Sequence, residues 1–450
     1  MLLFVLVFGS IAFSVIVVGV AGYGLSEHRA SVYRHNREEA LSIAEAGVNY
    51  YRWHLAHNRT DYTDGTGHAG PYVHDYTDKD GNMVGHYSLN IIAPTVSSTV
   101  ITIESTGWLN SQPASKRTLR VKIGFKSLTD YALVSNGQLW ISNNAVMHGK
   151  LHSNSGIRFD GTTDAEVSSA VATYQCAPIH GSGCTGDTKP GIWGQGGPQS
   201  FWKFPVPAQD FTSVGYSLAN IKTQAQAGGL YLSASGKQGW LLHFTNDGKV
   251  TASKVASTKC YKGQDVPDVT NVDNINNSKW QWFCVDIKNT DAETTYALPA
   301  NGFLFVDDTV WVDGTLKGRV TVGVTKSALF NGTVQYLAKD GTNVLGLIAG
   351  QDVIIPHDSL NTMEINGAMI AQQGAMKRYY YSGDQKLNLT IFGSIITNGT
   401  WVWSWVSLGG AVVSGYQHVS TTYDTNLTYN SPLGFPVSVE YNLLSWEEVK

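Results

Sequence analysis

The sequence predicts a mainly β protein with a long N-terminal α-helix, a small antiparallel sheet after it, and then a parallel β-helix, or solenoid, carrying an inserted subdomain. Three observations predict this. Residues Met1 to Ser26 carry no side chain that is charged at neutral pH. The stretch from Glu38 to Asn58 has helical periodicity. From about residue 130, short apolar runs broken by Gly, Asn, Ser and Asp recur almost to the end of the chain. A length of 450 residues gives room for two or three domains. Net charge is −4 and charged residues make up 15% of the chain, below the ~25% usual for soluble proteins. The polar surface therefore comes from Ser, Thr, Asn and Gln, which suits a secreted or surface protein. No basic field exists for nucleic acid. With 47 Gly, 13 Trp and 22 Tyr, a turn-rich, aromatic β fold is expected.

The first element spans residues 1–58. An apolar run of about 20 residues crosses a bilayer's hydrocarbon core, and Met1–Ser26 exceeds that with no charge to bury. A cleaved signal peptide is the alternative, but its apolar core would be shorter. The expectation is a retained membrane helix. Arg29, Arg34 and Arg37 follow the run and give the wrong sign for an exported body, whereas the β content and paired cysteines place that body outside. Beyond the run, Ala40, Ile43, Ala44, Gly47, Val48, Tyr51 and Leu55 fall at i, i+3, i+4, i+7 and form one apolar face. Gly47 in mid-helix costs about 1 kcal/mol relative to Ala, which a close neighbour would explain. Joined end to end, the two parts make a rod of roughly 80 Å. Ala40, Ile43, Ala44, Gly47, Val48 and Tyr51 are its expected helix-packing face, and because a rod this long cannot be covered by its own domain, its exposed upper half is expected to pack on other rods.

Residues 59–128 read as a small antiparallel sheet. YVHDYTDKDGNMVGHYSLNII is strand, turn, strand, with Lys79-Asp80-Gly81-Asn82 as the turn, and VITIESTGW and KRTLRVKIGF are two more strands. Asp78-Lys79-Asp80-Gly81 lacks the downstream Glu of a calcium loop and is read as a turn. In residues 129–164, a first solenoid segment, Leu139, Ala145, Leu151 and Ile157 recur every sixth place, as do Ile141, Met147, Ser153 and Phe159. A short fixed period is what stacked β rungs require. The same texture returns over 301–412, a second solenoid segment. A β-sandwich is the competing fold. Between the segments, 165–300 reads as an inserted subdomain with a Gly-rich loop, a helix candidate at Leu218, Ile221 and Ala225, and all four cysteines. Cys176 with Cys184 and Cys260 with Cys284 are local pairs without CxxC spacing, so two local disulfides are expected, with free buried thiols as the alternative. Residues 413–450 are expected to be a C-terminal tail packing on the body.

These motifs also carry a resemblance. The order of an uncharged helix, then ALSIAEAGVNYYRWHL, then a short sheet resembles type IV pilin-like proteins. Ala44-Glu45-Ala46-Gly47 and the IESTGW and RTLRVKI strands resemble the PilX-type accessory, or minor, pilins. HSNSGIRFDG and the tail with Tyr423-Asp424, Pro432, Gly434-Phe435 and Ser445-Trp446-Glu447-Glu448 are similar to pilin-associated solenoid proteins of uncharacterised bacterial lineages. The resemblance implies an inner-membrane anchor, other pilin-like subunits as partners through the N-terminal helix, and a role in pilus assembly or adhesion at the bacterial surface. Val5 stands where such helices often carry a carboxylate, so tethering is implied more directly than polymerisation.

Catalytic motifs are scarce. No GxSxG, HExxH or GxGxxG occurs, and GLYLSASGKQ (229–238) has neither the spacing nor the Ser or Thr of a phosphate loop. No cofactor and no metal site is expected. His148 and His152 with Asp160 make a weak metal candidate, and Asp307, Asp308 and Asp313 a weak acid–base one. His152, Asn154, Arg158 and Asp160 form the densest polar cluster, either a ligand site or hydrogen-bonding corners between rungs. Trp401, Trp403 and Trp405 lie at strand spacing, either as core or as a stacking platform for surface glycans. The function expected is a non-catalytic, membrane-tethered and exported subunit. The alternatives are a surface-anchored β-helical polysaccharide-degrading enzyme and a glycan-binding adhesin.

Overall fold

The computed structural model describes the whole chain except residues 59–60, 95–97, 178–179, 182, 185, 212–213, 266–279, 408–409, 436 and 450, and leaves out the side chains of 125–126, 214–217 and 437–441. The chain divides into two compact units. The first comprises residues 1–95, 100–125 and 439–450, and the second 96–99 and 126–438.

The first unit begins with α1 (Leu2–His57), one unbroken helix of 56 residues. No proline interrupts this span, so every turn keeps its backbone bond. The helix ends at Asn58, whose extended backbone donates its N–H to the His54 carbonyl. Antiparallel strands β1 (Tyr72–Thr77), β2 (Met83–Ile92), β3 (Val100–Leu109) and β4 (Arg117–Ser127) follow in order, and the last strand of the chain (Val437–Val449) lies beside β4. The β1–β2 turn is organised by Asp78, whose carboxylate accepts the Asp80 and Asn82 amides, both at 2.9 Å.

The apolar face of α1 finds its neighbour within the first unit. Ala40, Ile43, Ala44, Gly47, Val48, Tyr51 and Leu55 are buried on the chain's own sheet. The close approach depends on glycines from both sides. A Cβ on Gly47 would lie 2.3 Å from Ser105 Oγ and 2.7 Å from Tyr87 Cδ2. A Cβ on Gly107 would lie 2.3 Å from the Ala40 carbonyl and 2.5 Å from the Ala44 nitrogen. What remains uncovered is the other end of the rod. Residues 1–29 are exposed throughout, and the most apolar 18-residue window of α1 has a mean hydropathy of 2.8 with none of it buried.

The second unit is a stack of parallel rungs. One ladder passes from Leu230–Leu232 through Phe303–Val306, Arg319–Val324, Val344–Ala349 and Thr362–Ala371 to Gln385–Thr397. It continues without a break into Leu133–Ser135, Leu151–Ser153, Val167–Ser169 and Trp202–Lys203. The N-terminal rungs are therefore added onto the C-terminal ones, and both expected segments form one stack. A second ladder runs from Gly239–Thr245 through Val310–Leu316, Ala328–Tyr336, Val353–Ile354 and Met376–Lys377 to Trp401–Val402, and stops there. Leu139–Ile141, Ile157–Phe159 and Ile192–Trp193 make a separate three-stranded sheet.

The six-residue period has a simple geometric origin. Leu133 pairs with Leu151 and Leu139 with Ile157, each eighteen residues on, so six residues make one of three sides. Leu139, Ile141, Ala145, Met147, Leu151, Ser153, Ile157 and Phe159 are all buried.

Three expected boundaries move. The first segment does not end at 164 but pairs in parallel up to Lys203, and Leu230–Thr245 also belongs to the stack. Within 165–300, the described residues that leave the stack include the antiparallel pair Thr173–Gln175 with Thr188–Pro190, α2 (Val214–Gly228), and the antiparallel hairpin Lys249–Gly263 with Gln281–Thr290. Ile221 and Ala225 of α2 pack on Phe305, Ile348 and Ile370, while Val255 and Phe283 of the hairpin pack on Trp311, Leu329, Ile354 and Tyr379. Residues 413–450 are not a tail: Val412–Tyr423 is a rung strand, and Val437–Val449 is the edge strand of the first unit's sheet. Cys176 is bonded to Cys184 within a loop, and Cys260 to Cys284 across the hairpin.

Candidate functional site

The break in the second ladder positions the site. After Trp401–Val402 the next layer of the stack is the Leu139–Ile141 sheet, and among the described residues no backbone ladder joins the two. A cavity of about 100 Å³ occupies this seam. Its walls come from residues 140–145 on one side and 400–406 on the other, with His180 and Val419. Four of the thirteen tryptophans are near it or in it: Trp140, Trp401, Trp403 and Trp405.

Trp401 and Trp403 are buried members of the main core, not an exposed platform. Trp405 is half-buried, and its indole N–H donates to the Arg378 carbonyl at 2.9 Å. Among the described residues, the Trp401 and Trp403 indole nitrogens are buried without a hydrogen-bond partner, and so is Nδ1 of His180. Such orphaned polar atoms are uncommon inside native proteins. Burial, with the Arg158 charge adding to it, pushes the His180 imidazole down to about 3, so the ring is neutral at any physiological pH. Trp140 is set by its neighbours. Its Nε1–H donates to Asp160 Oδ2 at 2.9 Å, the Arg158 guanidinium lies 4.6 Å from its ring centroid, and Arg158 Nε donates to the same carboxylate at 2.6 Å.

The polar cluster expected from the sequence therefore divides. Arg158 and Asp160 brace the cavity wall, and Arg158 also donates to the His180 carbonyl. His152 and Asn154 are internal struts. His152 is fully buried, with Nδ1 3.0 Å from Ser168 Oγ and Nε2 3.0 Å from Asn154 Oδ1, and burial lowers its pKa. Asn154 donates to Asn136 Oδ1 and to the Gln209 carbonyl. His148 is instead exposed and pairs with Asp164 at 2.7 Å, so His148, His152 and Asp160 have separate partners and do not assemble a metal site. Among the described residues, Cys176, His180 and Cys184 bring potential ligand atoms within 4.8 Å of one another, but both sulfurs are joined in the disulfide.

Asp307 and Asp308 have separate partners as well. Asp307 accepts from Lys222 at 2.9 Å, Thr325 at 2.7 Å and Tyr231 at 2.8 Å, which together hold its carboxyl at about 2. Burial raises Asp308, but bonds from Lys326 and Ser235 outweigh that and hold it also at about 2. Asp313 pairs with His243 and accepts from Asn331. A general acid needs a carboxyl that stays protonated near neutral pH, and Asp307 and Asp308 are held the other way. Among the described residues the carboxyls raised by burial are Asp286 and Asp424; Asp286 accepts the His357 and Asp358 backbone amides, and Asp424 accepts the backbone and side-chain amides of Asn426.

These shifts set a pH dependence. A folded-state carboxyl held below its unfolded value contributes stability above about pH 4, and that contribution is lost as pH falls toward 2. Asp308→Asn is expected to cost about 1–3 kcal/mol at pH 7 by weakening the acceptor for Ser235 and Lys326. The gap to the parent should close between pH 4 and pH 2 in urea titrations. A gap that stays constant across this range would contradict the assignment.

Sequence reading missed Trp140 and His180. Trp140 was legible only as an aromatic residue in a strand, and His180 lies in a loop with no periodicity to place it. In comparisons with known proteins, no family model matches and no curated protein matches. Among solved structures, the competence-associated pilin ComZ from Thermus thermophilus aligns over 92% of this chain and 97% of its own, at 13% identity and a TM-score of 0.29. A TM-score at that level carries no argument about fold or function.

Proposed function

We propose that the chain is a membrane-tethered, exported, pilin-like accessory subunit of the PilX type, with its β-helical body outside the bacterial cell. In this reading the body serves pilus assembly or adhesion and performs no catalysis. One observation carries it: a single helix whose second half is buried on its own sheet while residues 1–29, uncharged through Ser26, are left bare. Fifteen of the residues from Leu2 to Ser26 are Leu, Ile, Val or Phe. At about −0.3 to −0.6 kcal/mol each, they favour a bilayer by roughly 5–9 kcal/mol. Lipid and the helices of similar subunits are the two environments that fit such a rod. The occupied carboxylates at Asp307 and Asp308 favour the adhesive reading over the hydrolytic one.

A photo-crosslinking residue at Phe13 tests the assembly part in the native cell. Adducts with chains that have their own uncharged N-terminal helix are expected from Phe13, and none from the same probe at Ile43, which the sheet covers. Crosslinks to lipid alone at Phe13 would leave a tethered protein without pilin-like partners and overturn the assembly reading.

A further inference from the structure

The two disulfides stand in opposite surroundings. Cys176 and Cys184 are 0% and 2% exposed and pack with Tyr174, Val171 and Trp193. Cys260 and Cys284 are both exposed. Cysteine is among the most buried residue types in proteins, so an accessible pair needs its own account.

The hairpin explains the exposure. Its pairing sets Lys262 opposite Trp282 and Tyr261 opposite Phe283, and Cys260 is bonded to Cys284 at the next position. Successive side chains of a strand point to opposite faces. Tyr261 and Phe283 face the stack, where Tyr261 stacks on His357 and Phe283 on Tyr379, each with ring centroids 3.7 Å apart. Cys260, Lys262, Trp282 and Cys284 take the other face, and all four are exposed. Val255 and Phe283 dock the hairpin on Trp311, Leu329, Ile354 and Tyr379, so its place on the stack does not depend on the sulfur bridge.

This arrangement suits thiol–disulfide exchange. A thiolate has to reach one of the two sulfurs, so access is the first requirement. The displaced sulfur leaves more readily as a thiolate beside a cation. Lys262 lies two residues from Cys260 on the same face of the strand. Among the described residues Lys262 has no carboxylate partner, whereas Lys259, on the opposite face, is held by Asp358 at 2.7 Å. The free ammonium also selects the incoming thiol by charge, drawing an anionic one and repelling a cationic one. At Cys176–Cys184 the same attack requires the loop to open first.

We propose that Cys260–Cys284 is a thiol-exchange site for a small anionic thiol, and that Cys176–Cys184 is a structural bridge. The incoming thiolate attacks Cys284 Sγ. The bond between Cys260 and Cys284 breaks, a new sulfur–sulfur bond joins the thiol to Cys284, and Cys260 leaves as a thiolate that takes a proton from water. One disulfide is exchanged for another, so no separate oxidant or reductant is required. The adduct lies beside the Trp282 ring, which is 67% exposed, on the face turned away from the stack. The site belongs to the second unit and stands whether or not the chain has a membrane anchor or an adhesive role.

The test uses the full chain in detergent, with glutathione as the anionic thiol and cysteamine as the cationic one, compared at equal thiolate concentration. Reactions are stopped with N-ethylmaleimide and the products mapped by peptide mass spectrometry. Glutathione on Cys284 with alkylated Cys260 is expected to form about a hundredfold faster than any label on Cys176 or Cys184. The preference for glutathione over cysteamine should fall about threefold in Lys262→Gln, and by a similar factor at high salt. Comparing the ratio in variant and parent cancels the intrinsic difference between the two thiols. The melting transition of Lys262→Gln should match the parent's. The double variant Cys260→Ser, Cys284→Ser should take no adduct while its native state is retained. Labels arriving at both disulfides at equal rates, or at neither until the chain is unfolded in urea, would overturn the proposal. An unchanged thiol preference in Lys262→Gln would overturn it too, leaving an exposed disulfide that does not select its thiol.

Discussion

Deletion of residues 1–26 is expected to move the protein almost completely from the membrane pellet to the supernatant after alkaline extraction. The deleted segment has no side chain charged at neutral pH and supplies roughly 5–9 kcal/mol of bilayer preference, which corresponds to several powers of ten in partitioning. The same deletion leaves the fold of the first unit intact, because its buried helical contacts begin at Ala40. Circular dichroism should therefore show loss of helix in proportion to length and an unchanged thermal transition. Continued sedimentation of the truncated chain with membranes would place the membrane contact elsewhere and remove the basis of the tether.

Gly107→Ala is expected to destabilise the first unit strongly by prising the helix from the sheet. The new Cβ would stand 2.3 Å from the Ala40 carbonyl and 2.5 Å from the Ala44 amide, both helix backbone atoms that no rotamer can move. Relief requires α1 to lift from β3, breaking the contacts of Ile43, Ala44 and Val48 with the sheet. A cost of about 3 kcal/mol follows from the usual range for overpacking, at its upper end. Gly47→Ala behaves differently. Its Cβ would meet the Ser105 hydroxyl at 2.3 Å and the Tyr87 ring at 2.7 Å, which are side chains and can give, and Ala gains about 1 kcal/mol in helix propensity. A smaller loss, about 1–2 kcal/mol, is expected. Hydrogen exchange at the Ala40–Leu55 amides reads both: protection should fall more in Gly107→Ala than in Gly47→Ala. Equal protection in both variants and the parent would mean that close docking of α1 does not depend on these glycines.

The two glycines also show how far sequence reasoning reached. Periodicity named the residues Ala40, Ile43, Ala44, Gly47, Val48 and Tyr51 as a packing face, because spacing along a helix is a local property. It could not name the partner. Gly107, the complementary position on β3, sits in a strand whose alternation looks ordinary, and only the approach of the helix backbone makes its missing side chain necessary. The rungs follow the same pattern. A six-residue repeat was legible between Leu139 and Phe159 because each side of a rung buries a residue at a fixed interval. The expected end at 164 was too early because Val167–Ser169, Ile192–Trp193 and Trp202–Lys203 still pair in parallel after the repeat has become irregular.

By itself the sequence determined the bare apolar half of α1, the helical packing face, the four-stranded antiparallel run and the stacked-rung texture, since each depends on residues close together in the chain. The tertiary structure alone decided that the sheet takes the helix face and that Gln385–Thr397 pairs onward with Leu133–Ser135. That pairing joins positions about 260 residues apart and opens the seam where Trp140, His180, Trp401 and Trp403 meet. The physical reason is that side-chain pattern sets which face of an element is buried, while strand register and stacking order come from the lowest-energy pairing among many chemically similar strands, which no local spacing encodes.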